Sequence, residues 1–247
     1  MIEAKNLRKA FGPIVAVDGV SFSVNQGDVL GFLGPNGAGK TTTMRMLSGF
    51  LAPDSGTATV AGHDIRTDAV AVKRKIGYLA ENVPAYDEMT VASFLMFTCG
   101  TRGITGQECQ RAIDKMAKTC AITGVMHQPI GTLSKGYRRR VGLAQALVHD
   151  PPVLILDEPT DGLDPNQKYE VRQLIGRLAS KKCIAISTHI LEEVDAVCTR
   201  IIIINEGKIL VDSTPEKLRT EVGGTLDEIF RKLTTQPSKE TVPGGKK

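Results

Sequence analysis

Tryptophan is absent from the chain, and aromatic residues of all kinds make up only 4% of it. That leaves little material for a surface on which bases stack, so no nucleic-acid partner is expected. Long apolar runs are missing too. Val153-Leu154-Ile155-Leu156 and Ile201-Ile202-Ile203-Ile204 fall far short of the ~18 residues needed to cross a bilayer. The opening Met1-Ile2-Glu3-Ala4-Lys5 lacks the basic stretch and apolar run of a secretion signal. A transport function would therefore need another polypeptide to span the membrane. The five cysteines, Cys99, Cys109, Cys120, Cys183 and Cys198, are odd in number and form no C-x-x-C pair, which fits a reducing compartment and argues against zinc. Cys183 and Cys198 stand in apolar segments and read as small core residues. An excess of one charge is lacking as well, the formal net charge being +4. The one compact basic cluster, Arg138-Arg139-Arg140, is too small for a nucleic-acid surface and reads as a solvated helix face.

What is present is enough for a sizeable core: 247 residues, 41% of them hydrophobic and 23% charged, within the range of one α/β domain. Short β-type runs at 2–6, 17–24, 29–33 and 57–61, separated by Asn25-Gln26-Gly27-Asp28 and Pro53-Asp54-Ser55-Gly56, predict an antiparallel layer leading into a core strand. Between 90 and 128 the apolar spacing turns helical, as in Val91, Phe94 and Leu95 and again in Ile113, Met116 and Ala117. A long amphipathic helix follows Ser134 and ends near His149-Asp150-Pro151. Strand and helix then alternate: strand 153–157, helix 166–180, strand 183–187, helix 190–197, and a strand at 200–205 with a hairpin partner at 208–212. That order predicts a largely parallel sheet with right-handed crossovers. Short helices are expected after Asp212 and over 225–233, and residues 236–247 read as a tail rich in Pro, Gly, Ser and Lys.

Gly34-Pro35-Asn36-Gly37-Ala38-Gly39-Lys40-Thr41 fits G-x-x-x-x-G-K-[ST], between a strand and the helix beginning at Thr42. Glycines let backbone N–H groups cradle phosphate oxygens at a helix N-terminus. Lys40 would neutralise the β- and γ-phosphates, and Thr41 would offer its hydroxyl to Mg²⁺. GTPases, kinases and recombinase-type ATPases all remain open at this point. Downstream, Val153-Leu154-Ile155-Leu156-Asp157-Glu158 is an apolar strand ending in two acids. Ligands of open α/β sheets gather at that edge, where Asp157 would hold Mg²⁺ and Glu158 would orient or deprotonate the attacking water.

Leu133-Ser134-Lys135-Gly136-Tyr137, between the helical region and the acidic strand, resembles the signature motif of the ABC ATPase family. Ser134 also reads as a plain helix cap. Lys135 and Tyr137 depart from the usual Leu-Ser-Gly-Gly-Gln and look like the variant of ABC-2 exporters. The resemblance runs from Met1 to about Leu233, and residues 133–147, 164–167 and 201–207 are most similar to gliding-motility-associated and copper-processing-type members. It implies a P-loop NTPase fold of α/β class: a RecA-like parallel core, an N-terminal antiparallel β layer and an inserted α-helical subdomain at about 82–135. The ATPase domain would cover 1–220, a helical extension 221–235 and a tail 236–247.

The same resemblance implies the roles of further residues. Phe11 would stack on adenine, and Ser134, Lys135 and Gly136 would hold the γ-phosphate of ATP bound by an opposite subunit. Asp164, in Asp161-Gly162-Leu163-Asp164, would belong to the loop crossing the dimer interface. His189, in Ser187-Thr188-His189, would reach the γ-phosphate. Glu81 stands where most of the family carry glutamine and would bind Mg²⁺ or its water. The expected activity is hydrolysis of ATP with Mg²⁺, in a homodimer or with a second ATPase, driving an ABC-2 type membrane permease from the cytoplasmic face of the cell membrane. A soluble non-transport ABC ATPase is the alternative. Repair members with a long coiled-coil insert and ribosomal members with two cassettes do not fit this length, and no guanine-reading Asn-Lys-x-Asp segment is present.

Overall fold

Residues 1–235 are described by a computed structural model; the tail expected at 236–247 lies outside the described residues. Strands β1 (Ile2–Phe11) and β2 (Ile14–Val24) alternate buried apolar with exposed polar residues, the pattern of a sheet wet on one face. They pair antiparallel, with register shifts after Ala4 and Leu7, so β1 runs past Asn6, where the simple alternation stops. Strand β3 (Val29–Leu33) is buried throughout. The first sheet is completed by β4 (Ser55–Val60) and β5 (His63–Asp64), in the order β2-β1-β4-β5.

The second sheet is parallel, except at one edge. Besides β3 it contains β6 (Ile76–Leu79), β7 (Val153–Asp157), β8 (Cys183–Thr188), β9 (Arg200–Asn205) and the antiparallel β10 (Lys208–Ser213). Its order is β10-β9-β3-β8-β7-β6. Strands β7 and β8 are wholly buried, which is why the sequence there reads as unbroken apolar runs. Helix α1 (Lys40–Leu47) packs with Met44, Met46 and Leu47 into the layer between the two sheets, where the rings of Phe22 and Phe32 meet edge to face at 4.9 Å. Helix α2 (Ala69–Lys75) has no counterpart in the sequence expectations; it buries only Val72, too narrow a stripe to register as periodicity.

The helical stretch at 90–128 resolves into α3 (Val91–Thr101), capped by Thr90, and α4 (Gly106–Thr119), followed by a short 3₁₀ turn at Thr123–Val125. These pack with α5 (Lys135–Leu147) and α6 (Pro165–Ala179) around one apolar cluster. Helices α7 (Leu191–Val197), α8 (Pro215–Val222) and α9 (Leu226–Thr235) close a third cluster over β3 and β9. Among the described residues, no helix is long and apolar enough to cross a membrane.

Candidate active site

Four strands of the parallel sheet deliver their C-terminal ends to one crevice. Residues after β3 form the phosphate loop, β7 ends on Asp157, β8 leads to His189 and β6 leads to Glu81. The crevice is a cavity of about 630 Å³ lined by Phe11, residues 36–42, Glu81, Glu158 and His189. Ile14, Ala16 and Asp161 also line it. Phe11 is 50% exposed at the end of β1.

The loop's path requires glycine at two positions. Gly39 has φ +103° and lies so close to the Ala16 carbonyl that a Cβ would collide with it; a Cβ on Gly34 would strike the Ile204 carbonyl. The β9–β10 turn clasps the loop from outside, Gly207 N donating to Ala38 O at 3.0 Å and Gly207 O accepting from Asp18 N at 2.9 Å. Lys40, 6% exposed, donates to the carbonyls of Gly34 (2.7 Å) and Pro35 (3.1 Å) and stands 3.9 Å from Glu158 Oε1. Burial lowers its pKa, and the carboxylates of Glu158, Asp157 and Glu81 oppose that shift.

Asp157 is fully buried. Its Oδ1 accepts from Thr41 Oγ1 at 3.2 Å and from the Ser187 hydroxyl, while its Oδ2 is buried without a hydrogen-bond partner among the described residues. A buried carboxylate oxygen left over beside a threonine hydroxyl has the chemistry of a Mg²⁺ site completed by phosphate and water, so the residues present fit that ion.

Glu158 follows in the left-handed region at φ +50°, a conformation costing a non-glycine residue roughly 1–2 kcal/mol. Its N–H donates to Ser187 O (3.1 Å) and Ser187 Oγ (3.2 Å), and its Oε2 lies 2.9 Å from His189 Nδ1. The strained turn swings the carboxylate out of the sheet towards the phosphate loop. His189 is held by its neighbour: Thr188 Oγ1 accepts from Ile190 N at 3.0 Å and donates to the buried Glu193 Oε2 at 2.7 Å. Glu193 was not anticipated, because an acid within Glu192-Glu193 reads as helix surface.

Other expected residues stand elsewhere. Ser134, Lys135, Gly136 and Asp164 do not line the cavity. Ser134 caps α5, accepting from Tyr137 N at 3.3 Å, and Lys135 pairs with Asp161 at 2.8 Å. Gly136 is packed on Gln167, and Asp164 forms a reciprocal cap with Gln167 at the start of α6. The signature segment thus rests on residues 161–167 of its own chain. His63, His127 and His149 do not line the cavity, and the Cys183 and Cys198 thiols are pushed up to about 11 and about 12 by burial, consistent with core roles.

The solvated face expected for Arg138-Arg139-Arg140 is corrected by the structure. Arg138 pairs with Asp87 (3.1 Å) and Arg140 with Glu170 (2.7 Å), but Arg139 is only 4% exposed. Only its helical position hinted at this. Arg139 lies three residues after Gly136 and four before Leu143, on the buried stripe of α5, yet its charge argued for solvent.

A model of the ABC transporter family matches residues 17–161. Over 235 residues the chain is 37% identical to "Nod factor export ATP-binding protein I" of Paraburkholderia xenovorans (strain LB400), covering 93% of this chain and 76% of that one. It is 34% identical over 247 residues to "Probable multidrug ABC transporter ATP-binding protein YbhF" of Escherichia coli (strain K12), covering 97% of this chain but 43% of that longer protein. A solved structure described as the ATP binding subunit of an ABC transporter superposes with a TM-score of 0.87 at 26% identity, covering 94% of this chain and 99% of that one. With relatives alike along nearly its whole length and a family model spanning more than half of its residues, the chain belongs to the ABC transporter family, as an ATP-binding domain.

Proposed function

We propose that this chain hydrolyses ATP to ADP and phosphate as the nucleotide-binding subunit of an exporter of ABC-2 type. It would close as a homodimer, or with a second ATPase, over two Mg-ATP and drive a separate membrane-spanning permease from the inner face of the cell membrane. The observation that carries this reading is the division of the site. The phosphate loop, Glu158 and His189 share one cavity, with Asp157 bonded to Thr41 of that loop, while Ser134 and Gly136 stand at a helix N-terminus that does not line it. The export named in one relative agrees with the subclass suggested by Lys135 and Tyr137.

The residues divide the chemistry between them. Residues 34–42 hold the phosphates through backbone N–H groups, with Lys40 as the fixed cation and Phe11 under the adenine. Thr41, Asp157 and Glu81 would hold Mg²⁺, which would supply charge neutralisation at the β- and γ-phosphates. Glu158 orients the attacking water and takes its proton. His189, 2.9 Å from Glu158 Oε2, fixes the carboxylate and reaches the γ-phosphate. Ser134, Lys135 and Gly136 of one subunit cover the γ-phosphate held by the other, and the loop containing Asp164 crosses between them.

Glu158→Gln tests this. The variant should bind ATP as the wild type does and hydrolyse it at least ~10²-fold more slowly, because the acceptor for the water's proton is gone while the phosphate cradle survives. ATP should then hold two copies together, seen by light scattering, and adding Ser134→Arg should return the protein to monomer. Loss of hydrolysis without any ATP-dependent dimer would sink the shared-site mechanism for the isolated subunit.

A further inference from the structure

Arg139 uses every donor it has on backbone carbonyls. Nε donates to Pro159 O at 3.3 Å, Nη1 to Ala80 O and Glu81 O at 2.7 Å each, and Nη2 to the carbonyls of Asp157 and Glu158. The guanidinium group has five N–H donors in a rigid planar fork, so the inventory is complete. The five acceptors belong to two segments, residues 80–81 and 157–159, and these carry three acids of the candidate site. An arginine needed only for packing would have no reason to choose them. Nor does it form an ion pair among the described residues: a cation 4% exposed is compensated by oriented peptide dipoles, with Asp157, Asp161, Glu158 and Glu81 near enough to favour its charge against the burial that disfavours it.

We infer that Arg139 is a positioning residue: it locks the left-handed backbone of Glu158 and ties it, with the Glu81 segment, to helix α5. This rests on the reading that Glu158 serves hydrolysis. Glu158 is held from two sides, its N–H by Ser187 and its carbonyl by Arg139, so the direction of its carboxylate is set by both. Ser134, the cap of α5, lies five residues before Arg139, about 7.5 Å along the axis at 1.5 Å per residue. A displacement of the α5 N-terminus, where the second subunit's nucleotide would bind, is thereby transmitted to Glu158 and to Glu81 together. Arg139 gives the chain a direct mechanical connection between the two halves of the shared site.

Arg139→Lys keeps the charge but offers three donors on a flexible stem. In the full chain it should lower kcat for ATP hydrolysis at least about tenfold while KM and the dissociation constant for ATP stay within about twofold, the pattern of an interaction felt in the transition state. Amide exchange should quicken over 80–81 and 157–160. Arg140→Gln, one residue along the same helix, should leave kcat unchanged. Glu158→Gln measured in parallel separates the two claims. If it retains full activity, the role given to Glu158 fails; if it is inactive while Arg139→Lys keeps wild-type kcat, the inference about Arg139 fails. Equal proportional changes in kcat and KM in a folded variant would also overturn it. Should the substitution prevent folding, arginine-labelled wild-type protein still decides: separate, slowly exchanging Nη resonances that shift on adding Mg-ATP support the tether, and a single averaged resonance for every arginine excludes it.

Discussion

Burial of the Lys40 ammonium disfavours its charged form, and the carboxylates of Glu158, Asp157 and Glu81 restore it. The side chain is held by two loop carbonyls, so little reorganisation is needed to present it to phosphate. Lys40→Ala should therefore reduce ATP affinity at least ~10²-fold, because the phosphates would enter a partly dry site without their fixed cation. Equilibrium binding of a fluorescent ATP analogue measures this, with circular dichroism to show that the fold is kept. Unchanged affinity would remove Lys40 from the phosphate site. The same scale shows what sequence could and could not disclose. Lys40, Asp157 and Glu158 are legible because their spacing from a strand end is fixed by the chemistry they serve. Arg139 and Glu193 are not, since burial of a charge is decided by acceptors 18 to 59 residues away for Arg139 and by Thr188 for Glu193.

At the scale of elements, α6 shows a residue whose structural duty is plain. Asp164 Oδ1 accepts from Gln167 N at 2.9 Å, Gln167 Oε1 accepts from Asp164 N at 3.4 Å, and Pro165 sets the first helical residue. Asp164→Ala should cost about 1 kcal/mol of stability through the lost cap. A thermal melt without nucleotide reads that cost, and any further loss in ATP-dependent association of the Glu158→Gln protein would report on the interface role proposed for this loop. If the melting temperature is unchanged, the cap contributes nothing. Element types in the second half of the chain were legible because buried parallel strands and amphipathic helices have distinct periods. Helix α2 and the continuation of β1 past its register shifts were not, because each buries too few residues in sequence to display one.

For the molecule as a whole, His149 joins the end of α5 to the edge of the parallel sheet. Its Nε2 donates to Ile76 O at 3.1 Å, and its Nδ1 is buried without a partner among the described residues, so the ring is neutral. Burial first, and then the nearby Arg102 cation, lowers its pKa from 6.5 to about 4; Lys182 acts in the same direction, and the Ile76 bond and Asp150 oppose it. Below pH 6.5 the unfolded chain takes up a proton that the folded chain refuses, so stability is full above that pH and falls as pH drops towards 4. Each unit of difference is worth about 1.4 kcal/mol, and partial exposure keeps the total under a ceiling of about 3 kcal/mol. His149→Gln, which keeps a donor for Ile76, should flatten melting temperature against pH between 6.5 and 4. An identical slope in variant and wild type would show that other groups cause the acid loss.

The amino-acid sequence by itself determined the phosphate loop, the acidic strand end, the α/β order and the family, because each is encoded in neighbouring residues whose spacing follows backbone periodicity or phosphate geometry. Tertiary structure alone decided which of the charged residues are buried and whom they face. Asp157 Oδ2 is left free beside Thr41, Glu158 is bent into the left-handed region between Ser187 and Arg139, and the Ser134 helix end is set apart from the cavity of its own chain. Those outcomes depend on groups far apart in sequence competing for the same few carbonyls and hydroxyls, and only packing the two sheets and their helices together settles that competition.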